Sequence, residues 1–221
     1  MNTHDAWEKI HSTKQWGGYP SEHVIRFVAR NFFSQKRNEI KILDFGCGTG
    51  ANTWFLAREG FDTYALDISE TAIKRLNIRM KAEGLCVNAI VSDGLSQCFN
   101  NETFDAIIDN VSIFSNPKDD ILKLYKKCYD LLVAGGRFMT VVFDKRTTGY
   151  GTGTEIEPGS YEGIKEGPIQ GLGIRHFFDC SELKQCLYDC GFKEVRIEKL
   201  CYSDNGNTIS QLMGFCEKVI K

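Results

Sequence analysis

Between positions 44 and 50 the chain reads Asp-Phe-Gly-Cys-Gly-Thr-Gly, and single carboxylates follow at Asp67, Asp93 and Asp109. Glycines let a backbone turn tightly and approach a ligand closely, and a helix opening just after them would offer unpaired N–H groups. Such a loop can cradle a nucleotide. Its spacing, Gly46-x-Gly48-x-Gly50, departs from the dinucleotide fingerprint, which needs a further small residue where this chain carries Thr53 and then the bulky Trp54. Asp44 would repel a pyrophosphate in a partly desolvated site, whereas a ligand bearing an ammonium or sulfonium would be drawn to it. Asp67 stands 17 residues beyond Gly50, where a carboxylate can accept hydrogen bonds from both hydroxyls of a ribose.

Strands and helices in alternation must position these groups. Residues 40–45 form a short apolar run ending in the glycines, 51–59 a helix stopped at Gly60, and 63–68 a second strand. Ser69 is a suitable N-cap for a helix carrying Ala72, Ile73, Leu76 and Met80 at helical spacing. Strands are predicted over 87–91 and 104–109, a helix from Pro117 to the stop at Gly135-Gly136, and a fifth strand over 137–143. This is an α/β, doubly wound, Rossmann-like pattern. A seven-stranded sheet is expected, mostly parallel, with an antiparallel strand contributed by a C-terminal hairpin turning at Asn205-Gly206. In such sheets ligands bind outside the carboxyl ends of the strands, so Asp44, Asp67, Asp93 and Asp109 should converge on one crevice.

The run from 40 to 144 resembles the class I S-adenosylmethionine-dependent methyltransferases, and is similar to the small-molecule enzymes of ubiquinone biosynthesis and tellurite resistance. The resemblance rests on Asp44 with Gly46, Gly48 and Gly50, on Asp67, on Asp93-Gly94, on Asp109-Asn110-Val111, and on the helix ending Leu131-Leu132-Val133-Ala134-Gly135-Gly136. It implies S-adenosylmethionine as cofactor, released as S-adenosylhomocysteine, with no metal. It further implies that Asp44 and the loop, Cys47 included, hold the methionine moiety, that Asp67 holds ribose, and that Ile68 flanks the adenine. Asp93 and Gly94 would meet the adenine edge; Asp109 and Asn110 would line the methyl group and acceptor. By itself, Cys47 reads as a small hydrophobe, since no base stands near it.

Two segments should close the crevice. Trp16-Gly17-Gly18-Tyr19 precedes a helix carrying Val24, Ile25, Phe27 and Val28. The resemblance suggests Trp16 and Tyr19 near the sulfonium, where an aromatic face attracts a cation; packing of the helix onto the sheet would account for them equally. Residues 145–177, rich in glycine and holding Pro158 and Pro168, read as a long loop of the kind that forms lids. Within it His176 is a candidate general base, Arg175 a candidate ligand for an anionic substrate, and Tyr150 and Tyr161 candidate pocket walls. The expected organisation is one methyltransferase domain over 1–221: an N-terminal helical cap over 1–38, a cofactor-binding core over 39–144, a substrate-lid insertion over 145–177, and a closing helix and hairpin over 178–221.

Bulk composition narrows the partners. A hydrophobic fraction of 42% with 25% charged residues suits a globular domain, and the net charge of −2 gives no basic footprint for nucleic acid. Asp109-Asn110-Val111-Ser112 also lacks the Pro-Pro-aromatic motif that holds a flipped base. No apolar run approaches a membrane span, and the nine scattered cysteines form no C-x-x-C pair. Cys186 and Cys190 share a helix face, without a His or further Cys at ligand spacing. The expectation is a cytoplasmic protein, monomer or homodimer, that methylates a small molecule. The rival readings are a non-catalytic module that binds the cofactor, a protein methyltransferase, and a nicotinamide oxidoreductase.

Overall fold

A computed structural model of the chain describes residues 3–14, 17–96 and 99–219. The centre of the fold is the strand β1 (Lys41–Phe45), whose alternate residues enter two different cores. Ile42 packs with the helices α2 (Glu22–Phe32) and α3 (Ala51–Arg58), through Val24, Phe27, Phe55 and Leu56. Leu43 and Phe45 face the other way, towards α5 (Lys118–Leu131) and α6 (Cys180–Asp189). Burial on both faces is why the first strand reads as a continuous apolar run rather than an alternating one.

Strand β1 pairs in parallel with β2 (Asp62–Asp67) on one side and β4 (Phe104–Asn110) on the other. The sheet order reverses there, opening the crevice at which such sheets bind ligands. Beyond β2 lies β3 (Asn88–Val91); beyond β4 come β5 (Leu132–Phe143), β10 (Asn207–Glu217) and β9 (Lys193–Asp204), in the order β3-β2-β1-β4-β5-β10-β9. β10 runs antiparallel to both its neighbours. The seven-stranded, mostly parallel Rossmann-like sheet with an antiparallel C-terminal hairpin is therefore the fold. Asn205 and Gly206 both take positive φ, 45° and 81°, as the tightest hairpin turn demands.

Helix α4 (Glu70–Ala82) starts where predicted: the Ser69 hydroxyl accepts the Ala72 amide at 3.1 Å. Two expectations are corrected. The helix after Pro117 ends at Leu131, not at the paired glycines, and β5 begins at Leu132, five residues earlier than predicted. Gly135 and Gly136 lie inside that strand, where the Gly135 amide donates to the Lys218 carbonyl. Residues 145–177 are not one long loop either. They fold into a second, antiparallel sheet of three short strands, β6 (Thr154–Glu157), β7 (Ser160–Glu162) and β8 (Arg175–His176). Strands of two to four residues are too short to set up a hydrophobic period, which is why the sequence hides them.

The predicted N-terminal cap contains a further helix, α1 (Thr3–Thr13). It lies on the start of α4, where the Glu8 carboxylate accepts the Ser69 and Thr71 hydroxyls. Among the described residues no helix is long and apolar enough to cross a membrane.

Candidate functional site

A cavity of about 390 Å³ opens outside the carboxyl ends of β1, β2 and β4, within the size range of small-molecule sites. Its floor is the turn after β1: Gly46, Cys47, Gly48 and Thr49 line it directly. The turn exists because Gly46, Gly48 and Gly50 take φ of 69°, 53° and 86°. Gly46 is also sterically obligatory, since a Cβ there would lie 1.8 Å from the Ser112 hydroxyl oxygen. Gly50 caps α3 and lies against Leu76, behind the lining.

Asp67, at the end of β2, lines the cavity and is 7% exposed. Its Oδ2 accepts the Gly48 amide at 2.8 Å and its Oδ1 the Ser69 amide at 2.9 Å. One carboxylate thus fixes the glycine turn and the start of α4 together, with a lone pair left on each oxygen. Burial pushes its pKa up, against those two amides. Ile68 and Asp93 line the same flank. The Ser96 and Leu95 amides hold the Asp93 carboxyl below the usual carboxylate range. Asn110 lines the opposite side, bonded to His23 at 2.8 Å and to the Ser21 hydroxyl at 3.1 Å.

Other expected site residues lie elsewhere. Asp44 is 1% exposed and sits beneath the floor, where it accepts the Thr53 hydroxyl at 2.6 Å. Burial pushes its pKa up to about 6, against that bond. Asp109, expected to line the methyl group and serve in catalysis, is fully buried and likewise outside the lining. It accepts the Ser112 and Ile113 amides and the Thr140 hydroxyl, so it shapes the short 3-10 turn Ile113–Ser115. Burial raises it to about 6 as well. Gly94 is a packing glycine, its Cβ position 2.2 Å from the Phe45 ring.

His176 is the clearest correction. It is fully buried away from the cavity, with Nδ1 at 2.7 Å from the Ser160 hydroxyl and Nε2 at 3.0 Å from Glu182. With both nitrogens engaged it has none to offer a substrate; it ties the small sheet to α6. Burial works to raise the Glu182 carboxyl, but the His176 and Lys118 hydrogen bonds bring it down to about 2. Tyr150 and Tyr161 pack on each other and on Phe177, outside the lining. Tyr19 stands at the cavity mouth, 82% exposed and edge-on to Trp54. Trp16 falls outside the described residues. Arg175 lies in the cavity wall.

Several lining residues went unforeseen. Trp7 and His11 project from α1 one turn apart and stack with ring centroids at 5.6 Å. Burial lowers the His11 pKa, against the pull of the nearby Asp67 carboxylate. Ser112 to Asn116 line the far side, with Pro168, Ile169 and Leu172 of the insertion. The only signal for α1 in the sequence was the four-residue spacing of Trp7 and His11; nothing local marked residues 168–172, whose position depends on the second sheet.

Known proteins resemble this arrangement. Residues 42–136 match the family model described as a methyltransferase domain. A ubiquinone biosynthesis O-methyltransferase from Parvibaculum lavamentivorans is 30% identical over 98 residues, 44% of this chain and 38% of that protein. A ribosomal RNA small subunit methyltransferase C from Shewanella amazonensis is 30% identical over 108 residues, 47% of this chain and 31% of that one. The crystal structure of a SAM-dependent methyltransferase from Methanosarcina mazei superposes with a TM-score of 0.68 at 26% identity, covering 82% of this chain and 93% of that one. The chain spans 31% to 38% of the length of the first curated relatives it matches. With the reversal of strand order beside the glycine turn, Asp67 at the end of β2 and these likenesses in one segment, residues 42–136 are similar to the methyltransferase domain and the chain has the fold of S-adenosylmethionine-dependent methyltransferases.

Proposed function

We propose that the chain transfers a methyl group from S-adenosylmethionine to a small-molecule acceptor by direct in-line displacement. One observation carries this reading. A single cavity joins the glycine turn, Asp67 and Asp93 on one flank to an apolar wall of Phe114, Phe143, Ile169 and Leu172 on the other. The first flank suits the adenosyl and methionine parts of the cofactor: Asp67 for the ribose hydroxyls, Ile68 and Asp93 for the adenine, and the backbone of Gly46 to Gly48 with Asn110 for the remainder. When bound, the cofactor supplies a methyl group already activated by its sulfonium. The chain's own residues then have to align the acceptor and exclude water, and orientation alone can supply on the order of 7–11 kcal/mol.

Asp44 and Asp109 support the site from below. Their buried carboxyls fix the α3 start and the 3-10 turn, and when ionised they place negative charge under a cavity meant for a cation. The small, partly apolar cavity and the absence of a basic footprint favour a metabolite over a nucleic acid. The test is calorimetric titration with S-adenosylhomocysteine, then a metabolite-library screen following its release from S-adenosylmethionine. No heat at millimolar ligand, or NAD binding in its place, would sink the reading.

A further inference from the structure

The cavity wall contains a cation that meets no counter-charge among the described residues. Arg175 is 1% exposed, and among the described residues its guanidinium makes one hydrogen bond, from Nη1 to the Ile174 carbonyl. Nε and Nη2 meet no acceptor among the described residues. These two nitrogens form one edge of the planar group, the two-pronged fork that takes both oxygens of a carboxylate. The ring of Trp7 lies 5.1 Å from its Cζ on one side and that of Phe114 5.5 Å away on another. Ser115, which lines the same cavity, has a buried hydroxyl that likewise lacks a partner among the described residues.

A buried, unpaired charge is strongly unfavourable unless the folded protein later meets a partner for it. Here burial alone acts on the guanidinium, bringing its pKa down to about 9 with no carboxylate to oppose it. Two aromatic faces offset only a small part of that desolvation.

We infer that the Nε–Nη2 edge of Arg175 anchors a carboxylate of the methyl acceptor, so that the substrate is a small, largely apolar carboxylic acid. This deepens the methyl-transfer reading above and rests on it. A carboxylate matches a two-donor edge; a phosphate monoester, with three terminal oxygens and a second charge, would call for more donors than this wall offers. Ile169 and Leu172 provide the apolar surround for the rest of the molecule. Held at both oxygens, the carboxylate is a handle, and the atom that receives the methyl group lies elsewhere on the acceptor. The acceptor is the source favoured over the cofactor's own carboxylate, because Arg175 comes from the insertion, packed against the 3-10 turn rather than on the glycine turn.

The experiment is calorimetry on the full chain saturated with S-adenosylhomocysteine, using benzoate, 3-phenylpropionate and hexanoate, each against its amide, with phenyl phosphate alongside. At least one acid should bind tenfold or more tightly than its amide. Arg175→Lys, which keeps the charge and loses the fork, should weaken that acid at least tenfold, and Arg175→Met should abolish the preference. Both variants should bind S-adenosylhomocysteine within threefold of the parent, which also reports that they fold. The inference is overturned if acids bind no better than amides to the unmodified chain, a comparison that needs no variant. It is equally overturned if the preference survives in Arg175→Met, or if phenyl phosphate outcompetes every acid. A tenfold loss of S-adenosylhomocysteine affinity in Arg175→Lys would assign the edge to the cofactor's carboxylate instead. Failure of the unmodified chain to bind S-adenosylhomocysteine would remove the methyl-transfer reading, and the acid–amide comparison, run without it, would still decide the anion site.

Discussion

Replacing Gly46 by alanine would set a methyl group 1.8 Å from the Ser112 hydroxyl oxygen and 2.3 Å from its Cβ. Two penalties separate cleanly here. The left-handed backbone, φ 69°, costs a non-glycine residue roughly 1–2 kcal/mol. The collision is an overpacking of the kind that costs about 1–3 kcal/mol, and it comes wholly from the Ser112 side chain, since the Ser112 Cα stands at an unstrained 3.8 Å. Gly46→Ala should therefore lower unfolding stability by about 2–5 kcal/mol. Ser112→Gly keeps the amide that Asp109 accepts and should cost about 1 kcal/mol through backbone entropy. In that background Gly46→Ala should cost only the 1–2 kcal/mol of the backbone, leaving a coupling of about 2 kcal/mol. Urea unfolding of the four proteins, followed by circular dichroism, measures it. Additivity within about 0.5 kcal/mol would refute the claim that the floor of the site is held by this one close approach.

Asp67→Asn should weaken S-adenosylhomocysteine binding by about 10- to 100-fold, the range for losing a charge-assisted bond, and calorimetry showing an unchanged affinity would dismiss Asp67 as the ribose ligand. His176→Gln should cost about 2–3 kcal/mol of stability by breaking its buried link to Glu182, while leaving cofactor affinity intact; a loss of affinity with no loss of stability would return His176 to the site. Asp44 and Asp109 are carboxyls whose folded pKa is raised to about 6, so the native state holds their protons more tightly than the unfolded chain does. Their favourable contribution is full below about pH 4 and is lost as pH rises through about 6, by up to about 3 kcal/mol each. Asp44→Asn should thus gain stability relative to the parent between pH 4.5 and 6.5 in urea titrations, and a constant difference across that window would contradict the assignment.

The parallel core was legible because its signals are local. Buried central strands read as apolar runs, Ser69 marks a helix start, and Asn205-Gly206 marks a turn, each within a few residues. Asp67 could be placed at the cavity because it ends a central strand. Asp44 and Asp109 stand at strand ends too, yet they point below the cavity: side-chain direction in a strand depends on a register that spacing alone leaves open. His176 and Arg175 show the same limit from another side. They are adjacent in a two-residue strand, so they face opposite ways; one enters the cavity and the other a hydrogen-bond network under α6. Only the pairing of β7 with β8 decides which, and those strands left no periodic trace. Trp7 and His11 were hidden because α1 finds its place by contact with α4, some sixty residues away.

That same α1 sets how a ligand gets in and out. Its Trp7 and His11 form part of the cavity lining, and its Glu8 ties it to Ser69 and Thr71 at the head of α4. An eleven-residue helix is too short to persist in water without such docking, so undocking and fraying should be one event. Exchange of ligand would then be timed by a local opening far cheaper than global unfolding. Backbone amides of α1 should exchange with deuterium early in the free protein and slow down sharply once the cavity is filled, and the dissociation rate should rise when Glu8 is removed even though Glu8 is not among the residues that line the cavity.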